Sequence, residues 1–240
     1  MSQYEEMSLV YDQLTQDQPY HLWFDIVQYY AHNHPNILDI GCGTGTLTCM
    51  LNELGHINGM DISADMLAIA SQKSNQITWI EGDMTRFKLD YQFDIITIFC
   101  DSLNYLPTIE DVENTFIHVH SHLNKGGLLI FDVHTVEKMN TLFNNQSYID
   151  ETEHVYLGWD AIKGDEPLSV YHQMSFFIEH EDGLYQRFDE EHYQRTFEKD
   201  VYLNLLEQCG FNVIKTFTDF DMNNESEQAD RLFFVAQKQF

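Results

Sequence analysis

Short apolar runs recur along the chain, and helix-spaced apolar positions fall between them. Ile37, Leu38 and Ile40 form the first run, and three glycines at alternate positions, Gly41, Gly43 and Gly45, follow it. Leu47, Met50, Leu51 and Leu54 then recur at helical spacing. This is strand, glycine turn, helix, the opening unit of a doubly wound nucleotide-binding sheet. Further runs predict strands over 57–63, 77–84, 93–100 and 128–134. The run over 93–100 is apolar enough to be buried on both faces. Upstream, Leu22, Ile26 and Tyr30, with Trp23 and Val27 beside them and Pro19 ahead, predict a helix over 20–33. A stripe of Val112, Phe116, Val119 and Leu123 predicts another, opened at Thr108 and closed by Gly126.

The pattern changes after Thr135. Residues 151–162, 168–181 and 184–197 read as extended, with Thr, Val, Tyr and Phe interleaved with charges and a hairpin turn at Asp182-Gly183. A helix over 198–208, stopped by Gly210, and strands over 212–220 and 231–238 close the chain. The expected organisation is one α/β domain over 1–240, with an N-terminal helical lid over 1–34 and an antiparallel β insertion over 135–197.

Three features carry chemistry. The glycine turn misses the dinucleotide fingerprint, because Thr46 stands where the third glycine belongs. Asp39, beside the turn, would repel a pyrophosphate and suits a ligand carrying an ammonium and a sulfonium. Asp61 follows Gly41 by about 20 residues, which places its carboxylate where a βαβ unit grips ribose hydroxyls. The strand over 93–100 exits into Asp101-Ser102-Leu103-Asn104-Tyr105, beside the topological switch where ligands of open sheets sit.

The run Leu38-Asp39-Ile40-Gly41-Cys42-Gly43-Thr44-Gly45 resembles motif I of the class I S-adenosylmethionine (SAM) methyltransferases. Gly82-Asp83-Met84 is similar to the family's adenine-binding motif, and Asp101 to Leu106 to its motif IV as found in small-molecule N-methyltransferases such as those of glycine and sarcosine. The resemblance implies a seven-stranded sheet ordered 3-2-1-4-5-7-6, with SAM as cofactor. It implies that Asp39, Gly41, Gly43, Gly45, Asp61, Ile62, Met66, Asp83, Met84 and Cys100 bind that cofactor. The lead-in with Tyr4, Tyr11 and Asp12 resembles a lid. Tyr20 and Trp23 either face the sulfonium by cation–π attraction or pack the helix. Met66 covers the adenine or fills core. The chemistry implied is in-line transfer of a methyl group to a small-molecule N or O, perhaps C. His134, Asp101 and Tyr105 are the candidates for a base if the nucleophile arrives protonated. The competing readings are an NAD-dependent oxidoreductase, a non-catalytic SAM-binding regulator, and a scaffold that binds no nucleotide.

Charge narrows the partners. Lys and Arg number 12 against 39 Asp and Glu, a formal net charge of −27. Such a surface disfavours nucleic acid, whose binding rests on cationic contacts to phosphate. His118, His120 and His122 do not share one helix face, so no metal is expected. Four cysteines without C-x-x-C spacing, a polar acidic N-terminus and no long apolar run make the cytoplasm the expected compartment, with no membrane contact. A monomer or a homodimer is expected.

Overall fold

The computed structural model describes residues 18–152, 154–180 and 182–239. Tyr4, Tyr11 and Asp12 of the expected lid lie outside the described residues. The elements are α1 (Tyr20–Tyr30), β1 (Asn36–Ile40), α2 (Thr46–Leu51), β2 (His56–Asp61), α3 (Ala64–Lys73), β3 (Thr78–Glu81) and β4 (Phe93–Ile98). A 3-10 turn (Ser102–Tyr105), α4 (Ile109–His122), β5 (Leu123–His134) and α5 (Val136–Thr141) follow. Then come β6 (Gln146–Glu151), β7 (Val155–Lys163), β8 (Ser169–Glu179), β9 (Tyr185–Arg195), α6 (Lys199–Gln208), β10 (Phe211–Thr218) and β11 (Arg231–Lys238).

One sheet has seven strands in the order β3-β2-β1-β4-β5-β11-β10. With the inserted strands left out of the count, this is the 3-2-1-4-5-7-6 order expected from the family resemblance. All neighbours are parallel except β11, which is antiparallel to both β5 and β10. Successive residues of a strand point to opposite faces, so apolar runs can feed two cores. Leu38, Ile96, Leu129, Phe131 and Phe234 enter the layer with α4 and α6, while Ile37, Ile95, Ile130 and Phe233 enter the layer with α1 and α2.

The inserted strands form a second, antiparallel sheet in the order β6-β7-β8-β9. Two features here carried no readable pattern. β6 is exposed at nearly every position, so burial imposes no alternation on it. The six residues of α5, capped by Thr135, are too few to display a helical period.

Other differences are local. α1 stops at Tyr30 rather than 33 because Ala31 turns extended (φ −76°, ψ 117°), and Asn33 and His34 then take left-handed φ of 59° and 51°. β5 begins at Leu123 rather than 128. Its early part pairs Phe93 with Leu123, then shifts register, and Gly126 inside it adopts φ 78°. A glycine read as a helix stop therefore sits in a bulge. Among the described residues, no helix is long and apolar enough to cross a membrane, and the four cysteines are unpaired.

Candidate cofactor and acceptor site

A cavity of about 490 Å³ opens at the carboxyl ends of β1, β2 and β4, within the size range of small-molecule and cofactor sites. Its floor is the glycine turn. Gly41 N and Cys42 N both donate to Met60 O, and Gly43 N donates to Asp61 Oδ2 at 2.8 Å. Gly41 adopts φ 71°, and a Cβ there would lie 2.5 Å from Ser102 Cβ and Oγ. Ser102 Oγ in turn donates to Phe99 O at 2.7 Å and approaches Gly41 O at 3.2 Å. The two loops bordering the cavity are thus stitched through one hydroxyl and one missing side chain. Replacing Gly41 with Ala is expected to force these loops apart and weaken SAM binding by at least about tenfold, with strain of order 1–3 kcal/mol. Titration calorimetry of the variant checks this, and an unchanged affinity would refute the stitching.

Of the residues singled out from the sequence, Tyr20, Asp39, Gly41, Gly43, Asp61, Ile62, Met66, Asp83, Met84, Cys100 and Tyr105 line the cavity. Gly45, Trp23, Asp101 and His134 do not. Gly45 has φ 77°, and a Cβ on it would meet the Trp79 ring at 2.5 Å, so its smallness serves packing. Trp23 is 1% exposed and lies beneath the site, donating Nε1–H to Asp132 Oδ1 at 3.0 Å. The cation over its ring is the Arg231 guanidinium, 4.9 Å away, and Phe220 packs edge-on to the ring at 4.7 Å. The helix after the turn, α2, has only six residues, which leaves little dipole for a ligand carboxylate.

Asp39 also differs from expectation. It is 3% exposed, and its two oxygens accept from Thr48 Oγ1 (2.6 Å) and Thr97 Oγ1 (2.8 Å). Burial, opposed by these hydroxyls, pushes its carboxyl up to about 6. Folding therefore favours the protonated form. The associated stability is full below about pH 4 and is lost as pH rises through about 6. Asp39→Asn removes that loss. Its stability relative to the parent chain is expected to rise by about 2–3 kcal/mol between pH 4 and pH 7. Urea unfolding of both chains at the two pH values measures the difference, and a constant gap would show that Asp39 stays charged.

His134 is 3% exposed and turned away from the cavity. Trp159 Nε1–H donates to His172 Nδ1 at 3.0 Å, so His172 carries its proton on Nε2 and donates it to Gln194 Oε1 at 3.0 Å. His134 Nε2 lies 3.0 Å from the same oxygen and must donate as well. Its Nδ1 is left without a hydrogen bond, 3.3 Å from Asp101 Oδ1. Burial, reinforced by the Lys138 and Arg231 cations, pushes His134 down to about 3. A neutral imidazole locked into a buried amide network is poorly placed to take a proton from a ligand in the cavity.

Asp101 points instead into an ion cluster that the sequence does not announce. Arg231 donates to Asp101 from both terminal nitrogens, at 2.5 and 3.2 Å, and also to Asp132. Burial raises Asp101, but the Arg231 guanidinium, with Lys138, outweighs it and holds the carboxyl well below the usual range. Asp132 is fully buried and also accepts from Cys100 N (3.1 Å) and Asp101 N (3.4 Å). Those two residues adopt φ of 53° and 65°, a left-handed pair that L residues rarely form. The Asp132 carboxylate is what holds the turn beside the cavity in that shape.

The far wall belongs partly to the inserted sheet. Glu190 and His192 of β9 line the cavity beside Tyr105. Asn104, fully buried, ties the walls together. Its Nδ2 donates to Arg195 O (2.8 Å), and its Oδ1 accepts from His134 N (2.9 Å). Five of the lining residues are acidic (Asp39, Asp61, Asp65, Asp83 and Glu190), and no Lys or Arg is among the described residues of the lining.

The family described as "Methyltransferase domain" matches residues 37–127. The candidate methyltransferase YqeM of Bacillus subtilis (strain 168) is 40% identical over 240 residues, which covers 98% of this chain and 97% of that protein. A Streptomyces venezuelae enzyme, dTDP-3-amino-3,4,6-trideoxy-alpha-D-glucopyranose N,N-dimethyltransferase, is 31% identical over 109 residues, 45% of this chain and 46% of its own. Among solved structures, an S-adenosylmethionine-dependent methyltransferase from Clostridium acetobutylicum ATCC 824 superposes with a TM-score of 0.89 at 25% identity, covering 99% of each chain.

Proposed function

Because this chain belongs to the class I SAM-dependent methyltransferases, we propose that it transfers the SAM methyl group to the nitrogen of a small-molecule amine. Methyl transfer from SAM to a small-molecule nucleophile follows from the family, and the oxidoreductase, regulator and scaffold readings fall with it. The choice of nitrogen rests on one observation: the carboxylate on the acceptor side, Glu190, stands with Tyr105 and His192, and no Lys or Arg is among the described residues of the lining. Such a wall attracts an amine and repels a carboxylate or phosphate acceptor. The N,N-dimethyltransferase relative, named for an amino sugar, supports the same reading over the part it matches.

The residues present fit the cofactor. A floor at Gly41 and Gly43 that side chains would obstruct or strain admits a ligand against bare backbone. When bound, SAM supplies a sulfonium methyl that is already electrophilic. Asp61 spends one lone pair of each oxygen on the N–H groups of Gly43 and Ser63, and the remaining ones would accept from the ribose hydroxyls. Asp83, shaped by Thr85 and Arg86, and Met84 would hold the adenine, with Met66 and Ile62 lining the same part of the cavity. Tyr20 closes the cavity from α1. The protein's main task is to align two partners and exclude water, and alignment of this kind contributes about 7–11 kcal/mol. The inserted sheet acts as the cap that shapes the acceptor's side, and the site works without nucleic acid.

The test is release of S-adenosylhomocysteine from SAM with methylamine, glycine, sarcosine and glucosamine, set against malonate and glycerol. Amine-dependent release supports nitrogen. Release with malonate or glycerol alone retires it and leaves an oxygen acceptor.

A further inference from the structure

Glu190, His192 and Tyr105 form a connected line on the acceptor side of the cavity, and nothing in the cofactor's binding uses it. His192 Nε2 lies 2.9 Å from Glu190 Oε2, and a carboxylate can only accept, so Nε2 carries the proton. His192 Nδ1 is then bare and lies 3.3 Å from Tyr105 Oη, which donates to it. Tyr105 is 47% exposed, and partial shielding of its hydroxyl, with the Asp101 and Glu190 carboxylates, raises the phenol, so it remains a donor. The three groups come from elements 87 residues apart, the turn after β4 and strand β9, and all three line one cavity.

We propose that Tyr105, His192 and Glu190 are the proton relay for the acceptor amine. This rests on the nitrogen reading above. The acceptor nitrogen sits against Tyr105 Oη. An N–H bond of the acceptor ammonium breaks as the Oη–H bond to it forms, and the phenol's original proton passes to His192 Nδ1. The nitrogen gains the lone pair that attacks the methyl carbon, whose bond to sulfur breaks with its electron pair left on sulfur. His192 ends as imidazolium, paired with Glu190, and later returns its proton to water. Tyr105 is the residue that touches the acceptor, and Glu190 is a positioning residue acting through His192. Besides Glu190, the titratable groups around His192 are Tyr105 from the turn and His172, its cross-strand partner on β8, which burial pushes down to about 4 and so leaves neutral.

Two measurements test the relay. In the S-adenosylhomocysteine-bound protein, ¹⁵N-histidine spectra are expected to show His192 protonated at Nε2 and bare at Nδ1. In Glu190→Gln, where the amide can donate as well as accept, that single tautomer is expected to give way to a mixture. A proton resting on Nδ1, or a tautomer that Glu190→Gln leaves unchanged, overturns the proposal without any acceptor in hand. In turnover with the amine panel, His192→Gln is expected to lower kcat/KM about 100-fold at pH 7 and abolish the acid limb of the pH profile. Glu190→Gln should lower kcat/KM less, in step with the loss of the single His192 tautomer. If amines are methylated by His192→Gln with an unchanged pH profile, the relay fails while the nitrogen reading stands. If only malonate or glycerol is methylated, the nitrogen reading fails, and the relay's role with an amine goes with it even where the His192 spectra are as expected.

Discussion

Asp132→Ala is expected to lose about 3–5 kcal/mol of stability, the cost typical of removing one partner from a buried ion pair. For a chain of this length that lowers the unfolding midpoint by roughly 10 °C. The reason is the number of groups stranded together. Trp23 Nε1, Cys100 N, Asp101 N and the Arg231 guanidinium all donate to this one fully buried carboxylate. Burial pushes Asp132 up to about 6, and Arg231 opposes that, so the pair is held at the edge of what the interior tolerates. Without it, Arg231 keeps only Asp101, and the left-handed Cys100–Asp101 turn loses its anchor. Cofactor affinity should fall with stability, because that turn borders the cavity. Asp132→Asn keeps the shape but not the charge, and an intermediate loss is expected. Calorimetric unfolding of the three chains decides the matter. A loss under about 1 kcal/mol for Asp132→Ala would mean the cluster is incidental.

Asp61→Ala carries the second large effect, this time on binding rather than folding. Hydrogen bonds to a charged group contribute about 1.5–3 kcal/mol each, so two bonds lost to ribose hydroxyls reduce SAM affinity by at least about 100-fold. Stability should change little. Asp61 is only half buried, and water can replace it at Gly43 N and Ser63 N. Calorimetric titration with S-adenosylhomocysteine, alongside urea unfolding, separates the two quantities. Equal affinity in parent and variant would remove Asp61 from the cofactor site and leave it a loop brace.

Much of this was legible along the chain because local chemistry speaks locally. Glycines at φ 71°, 54° and 77° mark the turn, since other residues are strained there. Uninterrupted apolar runs announce strands covered on both faces, and Asp61 ends its strand at the spacing a βαβ unit dictates. Strand order came from family resemblance and matches the pairing observed. Residue type, spacing and the family resemblance also singled out eleven of the 24 residues that line the cavity. They could not say which way a side chain at a strand end would turn. His134, Asp101 and Tyr105 are all candidates for a base by residue type and place in the chain, yet of the three only Tyr105 lines the cavity.

What the tertiary structure decided was every relation between residues far apart in the chain. Trp23 and Asp132 are separated by 109 residues, Asp132 and Arg231 by 99, and Tyr105 and His192 by 87. No periodicity links such positions. They meet because β11 runs antiparallel beside β5, placing Arg231 opposite His134, and because β9 lands against the turn after β4 through Asn104. Backbone conformation is encoded within a few residues, whereas the partner of a buried charge is set by sheet register, which exists only once the chain has folded.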